Sequence, residues 1–165
     1  MLLFAALGLP AADTSLLTPD EWLHDWEVQR DFTIAVAEKM PAELYSYRPA
    51  EPQLGFAAQM AHIAGSLIFR FEQISGLTSG IVPPKTGEKG NILKFLRESF
   101  DFVIATVPRI KPDQLTRMYK VDWPGRPEAN GRQIMLNMFV HTAHHRAQCE
   151  VYMRLKGIEP PVYTF

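Results

Sequence analysis

Three of the chain's five histidines fall within one five-residue window, His141-Thr142-Ala143-His144-His145, and the run continues Arg146-Ala147-Gln148. Residues four apart on a helix share a face, so His141 and His145 can aim two imidazoles at one cation. A further histidine, His62, stands in an apolar helical segment far upstream. Two imidazoles from one helix and one from another form the donor set of a three-histidine metal site that keeps open coordination positions. Neutral imidazole is a good ligand for Zn, Ni, Fe and Cu. An ion so held polarises a carbonyl, or lowers the pKa of bound water or a bound thiol. Histidine pairs of this spacing also arise on solvated faces and in ordinary cores. Here the pair shares a stripe with Ile134 and Met138, so it is expected to point inward, where two imidazoles without a common partner would be costly.

The neighbours carry their own expectations. His144 points about 100° away from His145 and is expected to back the site, line an interface or meet solvent rather than ligate. Gln59 and Gln148 flank the site and are candidates to hold an imidazole N–H or a bound water; the plainer reading is two polar residues at a bundle edge. His24, set among charged residues, is expected to be solvated. Arg146 is expected on a carboxylate elsewhere in the bundle or across a dimer. Cys149 is the only cysteine, which excludes an intrachain disulfide. A lone thiol in a helix interior reads as a small buried hydrophobe before it reads as a nucleophile. Glu72, Asp101 and Glu150 lie on helices, yet no spacing brings them to the histidines. No paired-carboxylate motif, Ser/His/Asp constellation or glycine-rich phosphate loop is present, so a hydrolysis would depend on metal-bound hydroxide as nucleophile.

Four helical segments position these residues. The first is expected from a capping box at Thr18-Pro19-Asp20-Glu21 to Pro41, with Trp22, Trp26, Gln29, Thr33, Val36 and Met40 on one face. Pro49 and Pro52 mark an extended connection. The second runs from about Gln53 to Ser75, with Gly76 as its stop. One of its stripes carries Phe56, Met60, Ile63, Leu67 and Ile74; the next carries Ala58, Gln59, His62, Gly65, Ser66 and Phe69. Small residues around His62 leave either room for a ligand or a close helix–helix contact through Gly65 and Ser66. Residues 76–87 form a loop rich in Gly, Ser and Pro. The third helix spans about Glu88 to Val107, stopped by Pro108 and Pro112. Residues 109–129 read as irregular, with a turn at Trp123-Pro124-Gly125 and room for a short helix around Pro112 to Arg117. The fourth helix opens at Asn130-Gly131-Arg132-Gln133, with Asn at the N-cap and Gln at N3, and runs to about Lys156 before Gly157.

With no convincing strand pattern, four helices of this length imply an all-α four-helix bundle. The 12-residue loop at 76–87 could span about 40 Å, enough to return the chain along a helix about 30 Å long. It therefore permits the second and third helices to run in the same direction. The chain has 165 residues, enough for one domain with its own core, and 47% of them are hydrophobic, which argues against disorder. A net charge of −1 without a basic stripe argues against nucleic acid as the main partner. No apolar run reaches the roughly 18 residues of a membrane span.

The first 14 residues stand apart from this domain, which is taken as 15–165. Leu2 to Leu9 form an apolar run that exits through Pro10-Ala11-Ala12, as a truncated export signal would, but no Lys or Arg precedes it. The segment is read either as that signal, which implies an exported, periplasmic protein, or as a loose tail on a cytoplasmic one.

The run His141-x-x-His144-His145-Arg146-x-Gln148, with Gly157 and Pro160-Pro161 after it, resembles the DinB/YfiT-like superfamily. The proline-containing approach Arg48-Pro49-Ala50-Glu51-Pro52 followed by Ala61-His62-Ile63 is similar to that family's lead-in to its first metal histidine. The likeness covers residues 18–161. It implies a four-helix bundle of up-down-down-up topology, often a homodimer, with a divalent metal, commonly nickel or zinc, on three histidines. By position these are His62, His141 and His145. Characterised members include thiol-dependent S-transferases and a thiol-dependent isomerase. The chain departs from the family pattern at Leu54-Gly55, where Trp-Ser is frequent, and at Ala147, where Gly is frequent. The functions in view are a metal-dependent hydrolase, a transferase using a low-molecular-weight thiol, a non-catalytic metal-binding or stress-response dimer, and a bundle serving dimerisation alone. Export would remove the protein from cytosolic thiols and so disfavour the transferase.

Overall fold

The computed structural model describes residues 19–163. The N-terminal tail and the Thr18 cap lie outside the described residues. The long helices are α1 (Pro19–Lys39), α2 (Phe56–Ser75), α3 (Lys89–Thr106) and α5 (Gly131–Leu155). Between α3 and α5 come a short helix, α4 (Pro112–Thr116), and two strands, β1 (Met118–Trp123) and β2 (Arg126–Asn130).

Cross-helix contacts fix the directions. Lys89, at the start of α3, donates to the carbonyls of Glu38 and Met40 at the end of α1, at 2.6 and 2.9 Å, so these helices are antiparallel. His62 of α2 meets His141 of α5, and Gln59 meets Gln148, so this pair is antiparallel too. Trp22 packs on Phe139 and Gln29 bonds Arg146, so α1 and α5 run the same way. Helices α2 and α3 both begin beside the end of α1, where Gly87 approaches the Ala57 side chain and Tyr45 donates to the Ala37 carbonyl. The result is an all-α, up-down-down-up four-helix bundle in which α2 and α3 are parallel.

The expected stripes form the core. Trp26, Gln29, Thr33 and Val36 of α1 and Met40 just after it are buried, as are Phe56, Met60, Ile63, Leu67 and Ile74 of α2. Trp26 sits edge-on to Phe71 at 5.2 Å and to Phe139 at 5.5 Å; burying side chains of this size contributes roughly 1.5–3 kcal/mol each. The helix stops follow local chemistry. Asn130 accepts from the Gln133 amide while the Gln133 side chain accepts from the Asn130 amide, which satisfies two donors at the α5 N-terminus. At the other end Gly157 takes φ 70°, and the amides of Ile158 and Gly157 donate to the carbonyls of Met153 and Arg154, the glycine-dependent closure expected of a Schellman stop.

Two expectations are corrected. The second helix begins at Phe56 and not near Gln53. The amides of Phe56 and Ala57 donate to the Tyr47 and Tyr45 carbonyls of the preceding loop, which holds residues 53–55 in an approach outside the helix. The segment 109–129 is also not wholly irregular: β1 and β2 pair as an antiparallel hairpin, Met118 opposite Asn130 and Tyr119 opposite Ala129, with an irregularity between Lys120 and Trp123. The expected turn closes it at Pro124-Gly125, where Gly125 has φ 73° and so takes a conformation most residues avoid. The hairpin caps the end of α2, with the Tyr119 hydroxyl on the Ile74 carbonyl and Gln73 donating to the Lys120 carbonyl.

Candidate metal centre

Antiparallel packing of α2 on α5 brings the three histidines together. One ligand atom from each of His62, His141 and His145 can be chosen so that all lie within 4.8 Å of one another. The ring centroids are 4.4–4.9 Å apart, and His62 Nε2 lies 3.1 Å from His141 Nε2. Two nitrogens on one Zn-type ion, at bonds of about 2.0–2.1 Å, are separated by roughly 2.9–3.4 Å for octahedral to tetrahedral angles, so the observed spacing fits a shared ion. The cluster is compatible with metal binding.

The histidines are less enclosed than their stripe suggests. His141 and His145 are half-buried and His62 is exposed. A Cβ on Gly65 would touch nothing within 4 Å, so Gly65 makes no close helix contact beside His62. Desolvation still dominates the electrostatics. Burial, then the neighbouring histidines and Arg70, hold His141 down at about 4, and burial followed by the other histidines does the same for His145. His62 is lowered by burial alone. All three are thus neutral near pH 7, the state a ligand requires.

Behind the cluster the two glutamines are connected. Gln59 accepts from His145 Nδ1 at 2.6 Å, donates to Gln148 at 2.6 Å and donates to the Tyr152 hydroxyl at 3.2 Å. Gln148 in turn donates to His144 Nε2 at 2.8 Å. His144 is exposed and edge-on to His145 at 5.0 Å. His24 is exposed on α1. Tyr152 lies on the α5 face that carries His141, His145 and Gln148, as its spacing implies; sequence reasoning missed Arg70 as a member of this neighbourhood. Arg70 lies eight residues beyond His62, on the same helical face, so its spacing was the available signal. It is buried, bridges to Asp122 of the hairpin and bonds Gln73 at 3.1 Å.

Arg146 differs from its expectation. It is buried against α1, where it donates to Gln29 at 2.5 Å and to Thr33 at 3.3 Å and lies over the Phe32 ring. Its nearest carboxylate is Glu150 of the same helix at 3.7 Å. Cys149 is fully buried with its thiol pushed up by that burial, which suits a core hydrophobe and not a nucleophile. The other carboxylates are engaged away from the histidines. Glu72 accepts from the Ser79 amide and hydroxyl. Asp101 lies 4.0 Å from Arg30 across α1 and α3.

Comparison with known proteins agrees with this arrangement. A sequence model described as the DinB superfamily matches residues 25–149. YjoA of Bacillus subtilis (strain 168), described as an uncharacterized protein, is 26% identical over 136 residues, covering 81% of this chain and 88% of YjoA. The crystal structure of that DinB-like protein aligns with a TM-score of 0.69 over 87% of this chain and 96% of its own. A DinB-like protein from Bacillus cereus ATCC 10987, 20% identical, aligns with a TM-score of 0.72 over 88% of this chain and 97% of its own, a likeness of fold. The family match includes all three clustered histidines, and the chain belongs to the DinB superfamily.

Proposed function

We propose that the chain holds one divalent metal ion, nickel or zinc, on His62, His141 and His145, and that this ion serves a metal-dependent reaction: hydrolysis, or transfer to a low-molecular-weight thiol. The observation that carries the reading is the convergence of three neutral imidazoles from two helices. When bound, the ion supplies the acidity that turns water or a thiol into a nucleophile near neutral pH. The chain's own residues bind and orient. Gln59 accepts the His145 Nδ1 proton, which fixes the ring and strengthens its other nitrogen as a donor. Gln148 ties Gln59 to His144. Gly65 leaves space beside His62, through which a small substrate reaches the cluster. A homodimer belongs to the same reading. Leu136, Val140, Val151 and Leu155 line one exposed face of α5, and light scattering would then give twice the chain mass.

Metal analysis of the purified protein tests the ligand set. The expected result is close to one ion per chain, a sharp loss in His62→Ala, His141→Ala and His145→Ala, and no loss in His24→Ala. A wild-type content no higher than that of the three variants overturns it. A panel of electrophiles with thiols, run beside a panel of esters and with and without chelator, then separates transferase from hydrolase. Metal without turnover on either panel leaves a non-catalytic metal-binding protein.

A further inference from the structure

The hydrogen bonds behind His145 have a direction, and it begins at a backbone carbonyl. The Tyr152 hydroxyl has one proton and gives it to the Leu54 carbonyl at 3.0 Å. Toward Gln59 Nε2, 3.2 Å away, it can therefore only accept. This turns the NH2 of the Gln59 amide toward Tyr152 and toward the Gln148 oxygen, and leaves the amide oxygen facing His145 Nδ1 at 2.6 Å. A carbonyl oxygen accepts and never donates, so Nδ1 must carry the proton and Nε2 the lone pair.

We infer that Tyr152 is a positioning residue: anchored on the Leu54 carbonyl, it orients the Gln59 amide and through it sets His145 as the Nδ1–H tautomer, with the Nε2 lone pair free for an ion shared with His62 and His141. Gln59 and Tyr152 are only 2% and 3% exposed, so water is a poor substitute for either partner. Without the hydroxyl, only the Gln148 oxygen still opposes rotation of the Gln59 amide by half a turn, and Gln148 is free to turn with it once its bond to exposed His144 is given up. Its NH2 would then face Nδ1, the ring proton would move to Nε2, and one of the three lone pairs would be lost. The segment before α2 thus reaches the candidate centre through a main-chain carbonyl, with no contact from the Leu54 side chain required.

The tautomer is read in the metal-free protein, and only the affinity arm rests on the metal-site reading. Long-range proton–nitrogen correlation spectra of histidine-labelled protein at pH 8 should show His145 protonated on Nδ1. Tyr152→Phe keeps the ring that packs on Tyr47 and should shift His145 to Nε2–H or to a mixture. Adding Gln59→Glu, whose carboxylate accepts in either orientation, should restore Nδ1–H. Competition titration with zinc should show affinity falling about tenfold in Tyr152→Phe and recovering in the double variant. A wild-type His145 protonated on Nε2 overturns the inference without any variant, and so does a Tyr152→Phe protein that retains Nδ1–H. If wild-type protein binds no zinc, the metal reading fails while the spectra still decide the tautomer.

Discussion

The three imidazoles stay neutral because burial disfavours the charged ring, and for His141 and His145 the neighbouring histidines add to that effect. That has a consequence for stability. In the unfolded chain these side chains take protons near pH 6.5, whereas folded His141 and His145 do so only near 4. Between those values the unfolded state binds more protons, so stability falls as the pH is lowered through this window and the slope vanishes above and below it. Thermal unfolding of metal-free protein should show the midpoint dropping from pH 6.5 towards 4, with a shallower drop in His141→Ala; a flat midpoint across the window contradicts the burial account. His141 and His145 were legible in the sequence because an i, i+4 pair on an apolar stripe is a local pattern. His62 needed only an apolar helix with small neighbours. The Tyr152–Gln59 contact joins residues 93 apart, and the α1 partners of Arg146 lie 113 and 117 residues away. Such pairings depend on how helices rotate against each other, which local spacing does not encode.

At the scale of elements, the start of α5 is held by a close backbone approach. A Cβ on Gly131 would fall 2.4 Å from the Gln114 carbonyl oxygen and 3.0 Å from Leu115 Cα. Both are main-chain atoms of α4, so Gly131→Ala must push α4 away from α5, at about 1–3 kcal/mol. Urea unfolding should show that loss, and an unchanged midpoint would mean that α4 is free to move. The four long helices were legible because each carries a 3.6-residue apolar stripe and a recognisable stop. The hairpin was not. Tyr119, Val121 and Trp123 do alternate inward on β1, but β2 reads Arg126-Pro127-Glu128-Ala129-Asn130, with two charges and a proline. A two-stranded ribbon tolerates that proline because it has an edge on each side. The strand is specified by the Pro124-Gly125 turn and by docking on α2, and hydrophobic alternation contributes little to it.

At the scale of the whole molecule, an ion on these histidines would tie α2 to α5, helices that meet only in the folded bundle. Binding to the folded state alone stabilises it by about 2.7 kcal/mol at a free metal concentration 100 times the Kd. For a chain of this size that corresponds to a rise in Tm of roughly 5–10 °C. Zinc or nickel should raise the melting temperature of the wild-type protein by about that much and leave His141→Ala unmoved; equal shifts in both would place the ion elsewhere. Among the described residues no helix is long and apolar enough to cross a membrane. The most direct measurement is anomalous diffraction at the zinc or nickel edge from crystals grown with that metal. The expected result is one strong peak about 2.0–2.2 Å from a ring nitrogen of each of His62, His141 and His145. A map with no peak between these rings, or with its only peaks on other side chains, would contradict the shared-ion account.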